Sequence, residues 1–80
     1  MIHNLKCWPE YFEAIDHGLK TFDVRKNDRN YSVGDVLTFD EWHPGVKEYT
    51  GNVSDGWEVI YVLRDFPGIE PGYCVMGIAR

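Results

Sequence analysis

No run of about 18 apolar residues occurs anywhere in this sequence, and its opening, MIHNLKCWPE, holds no apolar signal region. Neither a membrane-spanning helix nor a secretory leader is therefore expected, and the chain reads as soluble and cytoplasmic. Cysteine is scarce as well. Cys7 and Cys74 lie in strand-like stretches far apart in the sequence, and in a reducing compartment both are expected to be buried free thiols. The three histidines, His3, His17 and His43, have no zinc-like spacing from a cysteine pair, so neither a metal nor another cofactor is expected. His3 and His17 read as hydrogen-bonding groups rather than catalysts. Positive charge is the third shortage: eight Lys and Arg stand against 13 Asp and Glu, for a formal charge of −5. That excludes the broad basic surface which non-specific nucleic-acid binding requires, and any nucleic-acid site must be small and local.

Repeats, low-complexity tracts and linkers are also missing. The 80 residues form one domain, residues 1–80, expected to be monomeric. A domain this small buries about 60–65% of its unfolded surface, enough for a two-layer core but not for a large enclosed active site. What the chain does have is bulk. Aromatic residues make up 15% of it, enough apolar surface to fold unaided.

Residues 2–7 alternate, with His3, Leu5 and Cys7 on one side, as in a strand. In WPEYFEAIDHG, proline opens a helix, Glu10 suits its positive end and Gly18 ends it. Tyr11, Phe12 and Ile15 would form its apolar face, with Trp8 or Leu19 at the ends. Residues 20–26 alternate again, with Phe22 and Val24 facing one way and Thr21, Asp23 and Arg25 on a wet face. NDRNYSVGD supplies turn formers. Strands follow at 36–42, 57–64 and 73–79, with HPGVKEYTGN as a hairpin loop and DFPGIEPG as a break. The order β-α-β-β-β-β predicts an α+β, mainly β, fold: an antiparallel, curled sheet of about five strands, closed into a small open barrel with one N-terminal helix covering an end.

The scarce cations gather in one place. Within GLKTFDVRKNDRNYSVGD, residues 18–35, the segment from Lys20 to Arg29 holds four cations against two carboxylates, a local charge of +2. Together with the preceding helix, this stretch resembles the opening of an ASCH (activating signal cointegrator homology) domain of the PUA-like superfamily. The pattern is a helix, then G-x-K-[TS]-x-[ED]-x-R, a turn and V-G-D, matched here by Gly18, Lys20, Thr21, Asp23, Arg25, Val33, Gly34 and Asp35. The closing DFPGIEPGYCVMGI fits a short prokaryotic and phage branch of that group. The resemblance implies a small β-barrel that binds RNA or a nucleotide between helix and barrel. Some ASCH proteins are amidohydrolases acting on acylated cytidine through a lysine, a threonine and a glutamate. Lys20 matches that lysine, but Asp23 stands where the threonine would be.

Each candidate has a plainer alternative. Lys20 could contact a ligand or only stabilise the helix end; Arg25 could grip a phosphate or only pair with Asp23 or Asp35. Asp23 reads as a solvated carboxylate or, in a hydrolase, as a partner of Lys20. Lys26, Asp28 and Arg29, in a turn-rich stretch, are solvated charges or a phosphate contact. Trp8, Trp42, Trp57, Tyr61 and Tyr73 are core residues or stacking platforms, and Tyr31, in a polar loop, is the best exposed platform. Val33-Gly34-Asp35 is architectural, with Gly34 supplying a positive φ. The candidate ligand site is thus Lys20, Thr21, Asp23, Arg25, Arg29 and Tyr31, for RNA or a nucleotide-like ligand. A hydrolase using Lys20 and Asp23, or a protein partner for the acidic surface, are the alternatives.

Overall fold

A computed structural model describes residues 1–80, all of them. The elements are β1 (Ile2–Cys7), α1 (Pro9–Asp16), β2 (Phe22–Lys26), β3 (Val36–His43), β4 (Glu48–Leu63) and β5 (Tyr73–Ala79). They form one five-stranded sheet in the order β1-β3-β4-β5-β2. The fold is mainly β, a curled half-barrel with one short helix.

Two expectations need correction. The sheet is not wholly antiparallel: β1 pairs with β3 in parallel, from Ile2 beside Val36 to Cys7 beside Glu41. The chain leaves β1 through α1, crosses to the far edge as β2 and returns, so that β1 and β3 run the same way. HPGVKEYTGN, residues 43–52, is not wholly a loop either. The turn is only a few residues long, and β4 begins at Glu48 and runs for 16 residues. Its first part pairs with β3 and its last part with β5, with Glu58 paired to Val36 and to Ala79. Irregular register near Leu37, Asp40 and Val59 lets this one strand bend between two partners, which is how the sheet curls.

Alternation explains the core. His3, Leu5 and Cys7 point inward from β1, Leu37 and Phe39 from β3, Trp57 and Val59 from β4, and Cys74, Met76 and Ile78 from β5. The helix adds Phe12 and Ile15 against β3 and β4, each such side chain contributing about 1.5–3 kcal/mol by burial. Its remaining apolar residues, Trp8, Tyr11 and Leu19, stay exposed. Pro9 starts the helix, and Gly18, at φ 75°, ends it, with Leu19 and Lys20 N–H groups donating back to the Ala14 carbonyl. The C-terminal Arg80 lies over the Trp57 ring at 4.4 Å and beside Asp16 at 3.7 Å, tying β5 to the end of α1.

The V-G-D turn is architectural. Gly34 takes φ 96°, and its N–H donates to the Val59 carbonyl. Asp35 accepts from the Ser32 N–H at 3.1 Å, meets the buried His3 Nε2 at 2.9 Å and faces the Met1 ammonium at 3.4 Å. These partners, His3 first, hold its carboxyl below the ordinary 3.8. A carboxylate lowered on folding stabilises the fold above its unfolded value, and that stabilisation is lost as pH falls through the folded one. Asp35→Asn should therefore cost about 1–2 kcal/mol at pH 7. In urea titrations, the gap from the parent should close as the pH drops below 3.8.

Candidate functional site

The order of strands leaves β1 and β2 as the two free edges of the sheet. Their backbones do not form a ladder with each other. Arginine side chains span the gap instead: Arg25 Nη2 on β2 donates to the Lys6 carbonyl at 2.6 Å, and Arg29 Nη1 to the Asn4 carbonyl at 3.0 Å. Asn4 and Lys6 are two residues apart, so their carbonyls leave the strand on the same side, toward the seam. Each arginine satisfies an acceptor that an edge strand leaves unpaired.

Asp23 sets the aim of Arg25. Its carboxylate is buried, with only 7% of the side chain accessible, and takes a 2.7 Å hydrogen bond from Arg25 Nε through Oδ2. Lys20 Nζ approaches Oδ1 at 3.5 Å, donates to the Phe22 carbonyl at 2.8 Å and lies 4.9 Å from the Phe22 ring centre. Asp23 and Arg25 thus face inward while Phe22 and Val24 are half exposed. This reverses the wet face expected for β2. Two cations on one carboxylate make the inward orientation tolerable, because a buried charge needs paired and hydrogen-bonded partners.

Beside this seam opens a cleft of about 600 Å³. Its walls bring together Lys20, Asp23, Arg25, Arg29 and Tyr31 from the expected set, with Thr21 outside them. Thr21 is exposed, and its carbonyl accepts from the Ile78 N–H in the link to β5. Tyr31 lines the cleft, but as floor rather than platform: it is 1% exposed and packs edge-on against His3 at 4.8 Å. Burial pushes its hydroxyl above the ordinary 10.0. Its loop turns inward because Asn30 adopts φ 52° and the Asn27 side chain accepts from the Tyr31 N–H.

Sequence reasoning missed Lys6, Cys7 and Tyr11 as cleft residues and left Trp8 open between core and stacking platform. Trp8 and Tyr11 stack at 6.2 Å and 23°, and both are almost half exposed. Their spacing of three across the helix start is the available signal, and it fits an apolar helix face equally well. Of the other aromatics, Trp57 is core, Tyr61 is exposed away from the cleft, Trp42 lies 4.6 Å under the Lys6 ammonium, and Tyr73 is part of the cleft wall.

The sequence profile of a family described as a domain of unknown function, DUF3850, matches residues 2–78. The chain belongs to this family. A relative from Escherichia phage P2, named "Uncharacterized 12.9 kDa protein in GpA 3'region", is 44% identical over 68 residues. That alignment takes in 81% of this chain and 62% of the relative, so this DUF3850 chain spans less than two thirds of the phage protein's length.

Two outcomes follow from the geometry of this DUF3850 cleft. Arg25→Ala removes a seam bond and half of the compensation at Asp23, and should lower unfolding free energy by about 2–3 kcal/mol in urea. Arg25→Lys should fail to restore it, since one ammonium cannot match the two directions used by the guanidinium. Cys7 is buried, and desolvation together with Asp23 raises its thiol to about 11. At pH 8 it should alkylate about 100-fold more slowly than in the denatured chain, read by peptide-resolved mass spectrometry.

Proposed function

We propose that this chain is an ASCH-type, PUA-like module that binds RNA or a nucleotide in the seam cleft, as a monomer in the cytoplasm. One observation carries the reading. Five of the eight cations, Lys6, Lys20, Arg25, Lys26 and Arg29, line the cleft with only Asp23 and Asp28 as acidic neighbours, and the Trp8–Tyr11 stack lines it too. Concentrated positive charge calls for an anion, and an exposed aromatic surface calls for a flat partner. A nucleotide supplies both. The resemblance in residues 18–35 supports the same conclusion. The reduced state expected of Cys7 and Cys74, both free and buried, accords with a cytoplasmic setting.

Binding is favoured over hydrolysis. The Lys20 amine is already engaged by the Phe22 carbonyl and Asp23, and the one threonine of the motif, Thr21, lies outside the wall.

The test is an amide NMR titration at low salt with single-stranded RNA, free nucleotides and acylated cytidine. Shifts should cluster at residues 5–11 and 20–31, and Trp8→Ala should weaken binding by about 5- to 100-fold. Silence from all three ligands would overturn the reading and leave a protein partner for the acidic surface as its successor. Deacylation that disappears in Lys20→Ala would replace it with the hydrolase.

A further inference from the structure

Charge outside the cleft limits what can extend from it. Beyond the cleft walls, the surface carries three cations, Lys47, Arg64 and Arg80, against eleven carboxylates. Two of those three are already occupied: Arg64 donates to the Tyr31 carbonyl, and Arg80 is held by Asp16 and the Trp57 ring. No cationic track leads away from the mouth. A strand passing through would carry its next phosphates over an acidic surface, within the roughly 8–10 Å over which charges are felt at physiological salt.

Inside, the dimensions match a small ligand. The volume of about 600 Å³ falls within the roughly 300–1,000 Å³ typical of small-molecule clefts. The Trp8–Tyr11 stack is one platform, and Tyr31, sunk in the floor, adds no second one. Donors remain available for an anion. The Arg25 guanidinium has five N–H groups and is held by Asp23 and the Lys6 carbonyl, while Arg29 is held by the Asn4 carbonyl alone. Arg25 is therefore fixed in direction before a ligand arrives and Arg29 is tethered by one bond, which reduces the ordering cost of binding.

We infer that the cleft takes a single nucleotide unit bearing a terminal phosphate, free or at the end of a strand, and does not track the interior of a polymer. The base lies on Trp8 and Tyr11, and the phosphate meets the wall of Arg25, Lys26 and Arg29. This rests on the nucleotide-binding reading and narrows it.

The experiment is calorimetry on the full chain with the four nucleoside 5′-monophosphates, the parent nucleosides, and RNA decamers with and without a phosphate at either end. The best monophosphate and a phosphorylated decamer should bind within threefold of each other. The matching nucleoside and the unphosphorylated decamer should bind at least tenfold more weakly. The decamer's log–log salt slope should be no steeper than about −1.4, as for two phosphates. A decamer that binds more than tenfold tighter than any monophosphate, or equally well without its terminal phosphate, would overturn the single-unit inference and leave nucleotide binding intact. If no probe binds, both fall together.

Discussion

A sheet whose two edges approach without pairing must find other partners for its outward-facing backbone, and here two arginines supply them. Arg25 and Arg29 reach from the β2 side to the carbonyls of β1. Much else follows from this clasp. Arg25 can span the seam only if its guanidinium is held at the correct angle, which requires an inward carboxylate, and Asp23 provides it at 2.7 Å. An inward Asp23 in turn requires a second cation, and Lys20 at the end of the helix is that cation. Because the seam is bridged by side chains rather than a continuous ladder, space remains beside it. That space is the cleft.

The same groups therefore hold the structure together and line the cleft proposed for recognition. A guanidinium pinned on one edge by the protein presents its other edge to solvent in a fixed direction, so the work of ordering it is done during folding. Concentrating five of eight cations there has a counterpart elsewhere, since the rest of the surface is left strongly acidic. That acidity discourages loose association with polyanions. Attraction is confined to the mouth.

Much of the fold was legible in the sequence because its alternation is regular. β1, β2, β5 and the helix fell where period-two and period-3.6 patterns placed them, and Gly18 and Gly34 take the positive φ that their turns require. Two features resisted local reading. The parallel pairing of β1 with β3 depends on the path of the whole chain, and the early half of β4 is rich in Gly, Asn, Ser and Asp that usually mark loops. In the site, Lys20, Asp23, Arg25 and Arg29 were found by charge and motif, but the face of β2 was reversed. A carboxylate and an arginine look solvated until their partners on another strand are known. Tyr31 misled for the opposite reason, as a polar neighbourhood in sequence hid an apolar one in space. Tyr11 was counted on the apolar helix face, and Trp8 left between core and platform, because an amphipathic helix is expected to bury its aromatics, whereas this one buries only Phe12 and Ile15.

The position of β2 also has a consequence for biosynthesis. Its backbone ladder is made with β5 alone, from Phe22 beside Gly77 to Lys26 beside Tyr73. The residues that give the cleft its charge are made early, yet the strand that holds them follows only much later in the chain. A growing chain that has produced residues 18–35 carries the whole motif with nothing to fix Asp23 and Arg25 in place. The proposed ligand would therefore find its site only when synthesis has passed β5, and a nascent chain or one clipped before β5 would lack the formed cleft even with every lining residue before it present.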